Sequence, residues 1–473
     1  MYPMTLSEDQ VRRITSTLIV AAALFMEMID STVITTALPA IGESFNTAAA
    51  NLSVSVSSYL VALTIFIPLS GWLAEKYGAK RLFCLAIVIF SFSSYLCSIS
   101  VDVTTFTLSR ILQGIGGAMM VPVGRYIVFR ETPKEGLVTA VALLTWPALF
   151  APVLGPVTGG WITENWGWTW IFIINIPIGI VVFLAAVFIL PDVKRTPDLR
   201  FDTLGFILTA LGFGGIMAGV ELMNGTSGDY LLPGLLVTLG IVISIIAIRY
   251  LKNAQNPLFT LEPFKIHTFK TSSLSGSVFG VALSTVPFLF PLEMQLALGY
   301  GATESGAMLL WLFLGNLFMK PLTTWVMNQF GFRRILLING CLIALSFIGL
   351  SLLTSETPKL LIGVLLFVSG MCRSMQFTAF NTLGMSDVPN EQMKDASMIS
   401  SIVSQMNIGV GIAVASLILG LVVQFSGSTL TDLSVANFAT TYLVVAVFTL
   451  LALLDIRTLT SESGDSVLHH KHG

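Results

Sequence analysis

Charged residues are scarce in this sequence. Only 11% of its 473 residues are Asp, Glu, Lys or Arg, against about 25% in an ordinary soluble domain, and the mean hydropathy is +0.85. This composition excludes an ordinary soluble globular protein and predicts an integral membrane protein. The net charge of −2 also argues against a nucleic-acid partner, because proteins that bind nucleic acid carry a basic surface.

Cysteine and histidine are also rare. The four cysteines are Cys84, Cys97, Cys341 and Cys372. They lie far apart inside apolar runs, which excludes a disulfide framework and a CxxC metal site and predicts buried, inert thiols. Three of the four histidines lie in the last five residues. They could bind a metal, but a solvated chain end is the expected interpretation, so we predict no metal and no cofactor.

Motifs for nucleotide and covalent chemistry are missing. There is no GxxxxGK[ST] phosphate loop, so we predict that this chain does not hydrolyse ATP. There is no HExxH, no GxSxG and no catalytic pair of histidines, so we predict that the protein is not an enzyme. No soluble output domain fits between the apolar runs, which argues against a sensor. The first apolar run is long enough to span and lacks a small-residue cleavage site, so it is not a signal peptide.

Long apolar runs are abundant. Runs of spanning length, about 18–25 residues, lie at 14–37, 54–74, 82–100, 105–127, 137–161, 168–190, 204–222, 231–251, 272–295, 303–326, 334–354, 359–382, 396–423 and 437–456. These predict an all-α membrane protein with fourteen transmembrane helices and short loops. Because fourteen is even, both termini are expected on one side of the membrane.

Basic residues predict the orientation. If the N-terminus is cytoplasmic, 20 of the 24 Lys and Arg residues fall in inner loops and tails, and only Lys359 falls in an outer loop. The other three, Arg110, Lys320 and Arg373, lie within helices. Cytoplasmic loops carry such an excess of Lys and Arg. We therefore expect a multi-pass protein of the inner membrane with both termini in the cytoplasm.

Two acids in the first span are unusual. Glu27 and Asp30 lie three residues apart, so a helix places both on one face. A charged acid at the centre of a bilayer costs roughly 2.5–3.5 kcal/mol on insertion scales. A carboxyl shielded from water has its charged form disfavoured, so it could load and unload a proton. Asp30 could instead be a permanent ion-pair partner that fixes the first helix against the fourth.

An internal repeat divides the chain. GWLAEKYGAKRLF from Gly71 and TWVMNQFGFRRIL from Thr324 share a Trp, a Gly and a pair of basic residues at matching places. Each follows the second helix of a six-helix half if the helices within 201–255 are an insertion. Two related halves around a midplane site are typical of secondary transporters. We predict a six-helix bundle at 1–200, two inserted helices at 201–255, and a second six-helix bundle with a short tail at 256–473.

Five motifs follow one another along the chain. They are DSTVITTALP from Asp30, GWLAEKYGAKR from Gly71, RILQGIGG from Arg110, GPVTGG from Gly155 and WIFIINIPIG from Trp170. This ordered set resembles the major facilitator superfamily, specifically its fourteen-helix drug:proton antiporter branch. Three positions depart from the family pattern. Thr35 stands where Asn is usual, Glu75 replaces a loop Asp, and Glu27 adds an acid that many relatives would lack.

The resemblance implies roles for these residues. Arg110 would lie beside the proton site, stabilising the charged form of Asp30 when near and releasing it when far, although a purely structural tie is the alternative. Gln113 is expected beside Arg110 and in the substrate cavity. The loop residues would form a latch that stabilises the outward-facing state, or merely a solvated basic loop. These are Gly71, Glu75, Lys76, Gly78, Lys80 and Arg81.

The fifth-helix motif comprises Gly155, Pro156, Gly159 and Gly160. By resemblance it would prevent leak and support antiport, and close packing with a bend is the simpler role. In the second half, Glu293, Arg373 and Gln405 are candidates for the substrate cavity, although Glu293 and Arg373 could simply pair with each other. Lys320 is expected to be structural.

Together these features predict a proton-coupled exporter of amphipathic or lipophilic small molecules that works by alternating access as a monomer in the lipid bilayer. Its expected partners are a small-molecule substrate and protons. Dedicated export of one metabolite, such as a siderophore, and a non-transporting membrane sensor are the alternatives.

Overall fold

The computed structural model describes residues 8–47, 52–192, 199–225, 231–300, 302–426, 434–460 and 462–467. Within these ranges the regular structure is entirely helical. The all-α prediction is thus confirmed. The physical reason is that long apolar stretches can hide their backbone polar groups from lipid only by hydrogen bonding within a helix or a closed barrel.

In the described part of the chain, nine α-helices precede residue 260. In chain order they are α1 Glu8–Ser44, α2 Ser53–Tyr77, α3 Ala79–Ser98, α4 Val103–Glu131, α5 Leu137–Trp166, α6 Trp170–Ile173, α7 Asn175–Ile189, α8 Thr203–Gly225 and α9 Leu231–Asn253. The short α6 and the following α7 form one apolar span, Trp170–Ile189. Helix α8 packs against α9 and α2.

Five α-helices follow among the residues that the structure describes. They are α10 His267–Leu296, α11 Ala302–Ser351, α12 Lys359–Ser386, α13 Met393–Ser426 and α14 Val435–Ile456. Helix α11 is interrupted at Gly331, whose φ of 69° and ψ of 163° are not helical. Its 50 residues would extend about 75 Å if straight, so α11 comprises two spans joined at this glycine.

The helices match the predicted spans. Among the described residues, twelve helices are long and apolar enough to cross a membrane. One of the twelve, α11, contains two spans. Helix α5 is not among the twelve, but it has 30 residues and occupies the predicted span at 137–161. Helices therefore occupy all fourteen predicted ranges.

The two aligned repeats share a backbone feature. Gly78 joins α2 to α3 with φ of 96°, and Gly331 joins the two parts of α11 with φ of 69°. A side chain disfavours both conformations, so glycine is needed at each turn. The tryptophans of the repeat differ, since Trp72 is buried and Trp325 is exposed. The repeat therefore preserves the turn but not its surroundings.

Two compact units make up the chain. Unit 1 comprises 1–133, 143–263 and 389–402, and unit 2 comprises 134–142, 264–388 and 403–473. Many large apolar side chains lie on outer surfaces, including Phe188 at 81% exposure, Leu231 at 83% and Phe425 at 87%. Such surfaces suit lipid contact. The predicted bundle boundaries at residues 200 and 255 stay a prediction.

Candidate functional site

A buried ion pair joins the first and fourth helices within unit 1. Arg110 on α4 donates from Nη1 to Asp30 Oδ2 on α1 over 2.6 Å. Both side chains are essentially inaccessible, at 0% and 1%. Burying two charges is favourable only when they are paired and well hydrogen-bonded. The structure thus brings together Asp30 and Arg110, which the sequence analysis placed as partners.

Amides complete the surroundings of Asp30. Gln113 donates from Nε2 to Asp30 Oδ1 at 2.9 Å, and Asn175 on α7 donates to the same oxygen at 2.7 Å. Both amides also donate to Ser94 Oγ on α3. Gln113 Oε1 accepts from Arg110 Nη1 at 2.5 Å. The Asp30 carboxylate is therefore held by three donors from two other helices, one of them charged.

Glu27 lies one turn before Asp30 and is 4% exposed. Its Oε1 accepts a hydrogen bond of 2.9 Å from the hydroxyl of Tyr59 on α2. The Arg110 guanidinium lies over the Tyr59 ring, 4.4 Å from its centroid, at a distance typical of cation–π attraction. Tyr59 therefore contacts both Glu27 and Arg110, and it connects Glu27 to the Asp30–Arg110 pair.

Several polar atoms at this site have no hydrogen bond among the described residues. They are Glu27 Oε2, Arg110 Nε, Arg110 Nη2 and Asn175 Oδ1. Buried polar groups are usually satisfied, and an unsatisfied one costs about 1–3 kcal/mol. Arg110 thus uses only one of its two terminal nitrogens for hydrogen bonds to the described residues.

Helix α5 packs against α1 next to the acids. A Cβ added at Gly155 would overlap Thr32 Oγ1 and lie 2.7 Å from Thr32 Cβ, and the Thr32 hydroxyl donates to the Ala151 carbonyl at 3.1 Å. Gly155 is therefore required for this approach, as small residues are at membrane helix contacts. Gly159 is buried, whereas Gly160 has open space where a side chain would lie. The side chain of Pro156 lies outside the described residues.

The loop motif forms an ion-pair cluster within unit 1. Lys394 at the start of α13 binds Glu75 Oε2 at 2.5 Å and Asp395 Oδ1 at 3.3 Å. Gly71 lets α13 approach, since an added Cβ would lie 3.0 Å from Met398 Sδ. The Lys76 ammonium lies over the Trp72 ring, 4.6 Å from the ring centroid.

The last two latch candidates lie beyond the turn at Gly78. Lys80 is half-buried and Arg81 is exposed. Neither is part of the Glu75–Lys394 cluster. Of the six latch candidates, Glu75 and Gly71 contact α13.

The second-half candidates lie in unit 2. Glu293 on α10 is fully buried, and its carboxylate interacts with the hydroxyl of Tyr442 on α14. Arg373 on α12 donates instead to the Leu283 carbonyl, so the alternative Glu293–Arg373 pair is not formed. Lys320 is buried and donates to Thr378 Oγ1 at 2.8 Å, and Gln405 is half-buried on α13. Their cavity roles stay predictions.

Sequence reasoning missed four contacting residues. Tyr59 and Asn175 complete the acid site, and Lys394 and Asp395 complete the Glu75 cluster. Asn175 could have been noticed as the one amide within the apolar run WIFIINIPIG. Lys394 had no such signal, because it lies 319 residues from Glu75.

Two sequence features fall outside the described side chains. The Thr35 side chain, which replaces the family's usual Asn, is one, and the C-terminal histidines are the other. Within the described part of the chain, no group of three or more His, Cys, Asp or Glu side chains could hold a metal ion.

Helices of membrane-spanning length and a buried acid–arginine pair within unit 1 indicate a multi-pass membrane transporter. The family comparison agrees, because the Major Facilitator Superfamily matches residues 20–409. The chain belongs to this superfamily.

Relatives and solved structures support the same assignment. The chain is 36% identical over 407 residues to the "Putative multidrug resistance protein MdtD" of Citrobacter koseri, covering 85% of each protein. It is 34% identical to the "Probable transport protein HsrA" of Haemophilus influenzae, covering 94% of this chain and 96% of that protein.

Its fold is similar to that of the proton:xylose symporter XylE, with TM-score 0.66 and 15% identity over 98% of this chain and 100% of the other. It is also similar to the human organic anion transporter MFSD10, with TM-score 0.67 and 14% identity over 95% and 100%. The major facilitator fold predicted from the motifs is thus confirmed.

Proposed function

We propose that this protein is a proton-driven exporter of amphipathic or lipophilic small molecules that works by alternating access. It lies in the inner membrane with both termini in the cytoplasm and functions as a monomer. The names of its relatives, a multidrug resistance protein and a probable transport protein, support drug efflux. The observation that carries the proposal is the buried Asp30–Arg110 pair with Glu27 and Tyr59 beside it.

Asp30 is the proposed proton carrier. When it is ionised, Arg110, Gln113 and Asn175 all donate to it. A proton on Asp30 removes the charge that Arg110 balances, and the freed guanidinium needs a new acceptor. Glu27 is a charged candidate, because Arg110 already lies on the Tyr59 ring whose hydroxyl binds Glu27, and Glu27 Oε2 has no hydrogen bond among the described residues.

This exchange couples the proton to a movement of helices. Asp30 and Glu27 lie on α1, Arg110 on α4 and Tyr59 on α2, so a shift of Arg110 by one turn of α1 changes how these three helices pack. Packed cores switch between discrete arrangements and do not deform continuously. Proton entry from outside would then favour one arrangement, and cargo binding from the cytoplasm the other.

The cargo preference rests on the number of acids. Unit 1 holds two buried carboxyls on α1 close to one fully buried arginine. If both acids are ionised, they exceed the positive charge of Arg110, which favours a cationic or zwitterionic cargo. The half-buried Arg125 is within electrostatic range of Glu27 and would moderate this preference.

Transport into vesicles tests the coupling. Purified protein in liposomes with an imposed pH gradient should accumulate compounds from a panel of lipophilic cations and neutral drugs. We expect Asp30→Asn to abolish gradient-driven accumulation, because the amide cannot bind and release a proton. Glu43→Gln is the matched control, since Glu43 is an exposed acid on the same helix, and it should transport normally.

The outcomes separate the hypotheses. Normal accumulation by folded Asp30→Asn protein would contradict the coupling role of Asp30. Movement of a single metabolite, with the lipophilic panel ignored, would favour a dedicated exporter. No movement of any compound by the unmodified protein would favour the sensor.

A further inference from the structure

The two inserted helices α8 and α9 connect through their flanking segments to the latch of α2 and α13. We infer that the segments before α8 and after α9 are structural members of the latch and hold the Glu75–Lys394 pair in place. This inference rests on the proposed function, in which that pair is the latch. All the residues involved belong to unit 1.

The segment after α9 binds the start of α13. Thr260 donates to Asp395 Oδ2 twice, from its backbone N–H at 3.1 Å and from its hydroxyl at 2.7 Å. Asp395 is 4% exposed, and its other carboxylate oxygen lies 3.3 Å from Lys394 Nζ. Lys394 is thus placed between Asp395, which Thr260 orients, and Glu75 on α2.

The segment before α8 binds α2. Trp72 donates from its indole Nε1 to the backbone carbonyl of Arg200 at 3.1 Å. Its ring also packs against Phe201, with centroids 4.8 Å apart. Trp72 is 8% exposed and precedes Glu75 by three residues, so both lie on one face of α2.

Asp202 connects the two flanking segments. Its carboxylate accepts from the backbone N–H of Gly205 at 2.8 Å, from the Tyr250 hydroxyl at 2.9 Å and from the backbone N–H of Leu258 at 3.0 Å. These donors come from the start of α8, the end of α9 and the segment that leads to Thr260. Asp202 is 8% exposed. One buried carboxylate therefore fixes the entry and the exit of the insertion to each other.

These contacts close a ring. It runs from Glu75 through Lys394 and Asp395 to Thr260, then through Leu258, Asp202 and Phe201 to Trp72, which is again on α2. Separation of α2 from the start of α13 must break the ion pair and also pull against this ring. The role assigned to the insertion is therefore to set how readily the latch opens.

Chemical labelling measures that opening directly. Ala74 is 2% exposed and lines a cavity of about 10 Å³ with Gly71, Lys394 and Met398, so a cysteine at position 74 should react with N-ethylmaleimide only when the latch opens. The parent protein carries Ala74→Cys with the four native cysteines replaced, and it is labelled in detergent without cargo or gradient. We expect Glu75→Gln and Thr260→Val each to raise the labelling rate about tenfold, as loss of a hydrogen bond to a charged group would.

Three comparisons make the result specific. Trp72→Phe keeps an aromatic ring and loses the Nε1 donor, so it should raise labelling in the same direction. Thr238→Val removes an exposed hydroxyl on α9 that donates to the Gly234 carbonyl of its own helix, and it should change nothing. In the Glu75→Gln background Thr260→Val should add less than about twofold, because residues in one network are not additive.

A second reporter cysteine distinguishes opening of the latch from a general loss of stability. A parent that keeps only Cys97, which is fully buried on α3, should label at the same rate with and without Thr260→Val. The inference would be overturned if Thr260→Val raised labelling equally at both reporters. It would also be overturned if the Thr260→Val rate stayed within about twofold of the parent while Glu75→Gln labelled faster. Neither result would contradict the latch itself. An unchanged rate in Glu75→Gln would instead refute the latch, and the inference with it.

Discussion

Arg110 has more donors than it uses. Its guanidinium carries five N–H donors, yet only Nη1 reaches Asp30 and Gln113, and Nε and Nη2 have no hydrogen bond among the described residues. A lysine would replace it poorly, because a single ammonium lacks the planar guanidinium that binds Asp30 and Gln113 while it lies over the Tyr59 ring. The incomplete use suits a side chain that changes partners during a cycle.

Removing one charge of the Asp30–Arg110 pair should destabilise the protein more than removing both. Arg110→Gln leaves Asp30 buried without its counter-charge and should lower the free energy of unfolding by about 3–5 kcal/mol. Adding Asp30→Asn should recover most of that loss, because no unpaired charge remains. Thermal unfolding in detergent measures both proteins. A double variant no more stable than Arg110→Gln alone would contradict the pairing.

Tyr59 offers a second test at this scale. Tyr59→Phe keeps the ring beneath Arg110 but removes the only hydrogen bond that Glu27 accepts from a described residue. We expect a loss of about 1–3 kcal/mol in the free energy of unfolding, the cost of an unsatisfied buried polar group. Tyr126→Phe on α4 is the control, since its hydroxyl accepts from Arg130 at a partly buried site away from the acids. Equal losses in the two variants would contradict a special role for the Tyr59 hydroxyl.

Helix packing decides which motif glycines matter. Gly155 and Gly160 belong to one motif, yet they differ in what a side chain would meet. A Cβ at Gly155 would overlap Thr32 of α1, whereas a Cβ at Gly160 would have nothing within 4 Å. The family motif therefore contains a glycine needed for the α1 contact and one with room for a methyl group. Helix α5 is placed against the acid-bearing helix by the first of these.

Alanine substitution should separate the two glycines. Gly155→Ala should destabilise the protein by about 1–3 kcal/mol through overpacking against Thr32. Gly160→Ala should be neutral or stabilise by up to about 1 kcal/mol, because alanine favours the helix. Unfolding temperature and the yield of monodisperse protein report both effects. Equal losses in the two variants would show that α5 does not approach α1 at Gly155.

At the scale of the whole molecule, the number of spans sets the topology. Helices occupy all fourteen predicted ranges, and the basic residues are concentrated in alternate loops. Three spans, α10 and the two parts of α11, separate the loop before α10 from the loop before α12. Because three is odd, these two loops must face opposite sides of the membrane.

Impermeant maleimide tests this topology. Gln255→Cys and Glu356→Cys place thiols at exposed positions in these two loops, in a background without native cysteines. We expect Gln255→Cys to label only in inside-out vesicles and Glu356→Cys only in right-side-out vesicles, as the positive-inside bias requires. Labelling of both in the same vesicles would refute the fourteen-span topology.

Sequence alone determined the positions of the helices, the internal repeat and the charged residues within the apolar spans. Apolar run lengths located the helices because lipid demands about 20 apolar residues per crossing. The spacing of Glu27 and Asp30 placed both on one face, and the lone Arg110 in an apolar helix required an acid. The repeat aligned Gly78 with Gly331, and both have a positive φ.

Tertiary structure decided what these residues contact. Tyr59 was one of nine tyrosines with nothing in its spacing to distinguish it, and Thr260 and Lys394 resembled ordinary loop residues. Their roles depend on which helices and segments meet, and contacts between residues far apart in the chain leave no period in the sequence. The acids of α1 could therefore be predicted from the chain, while the Tyr59 bridge and the ring around Glu75 required the fold.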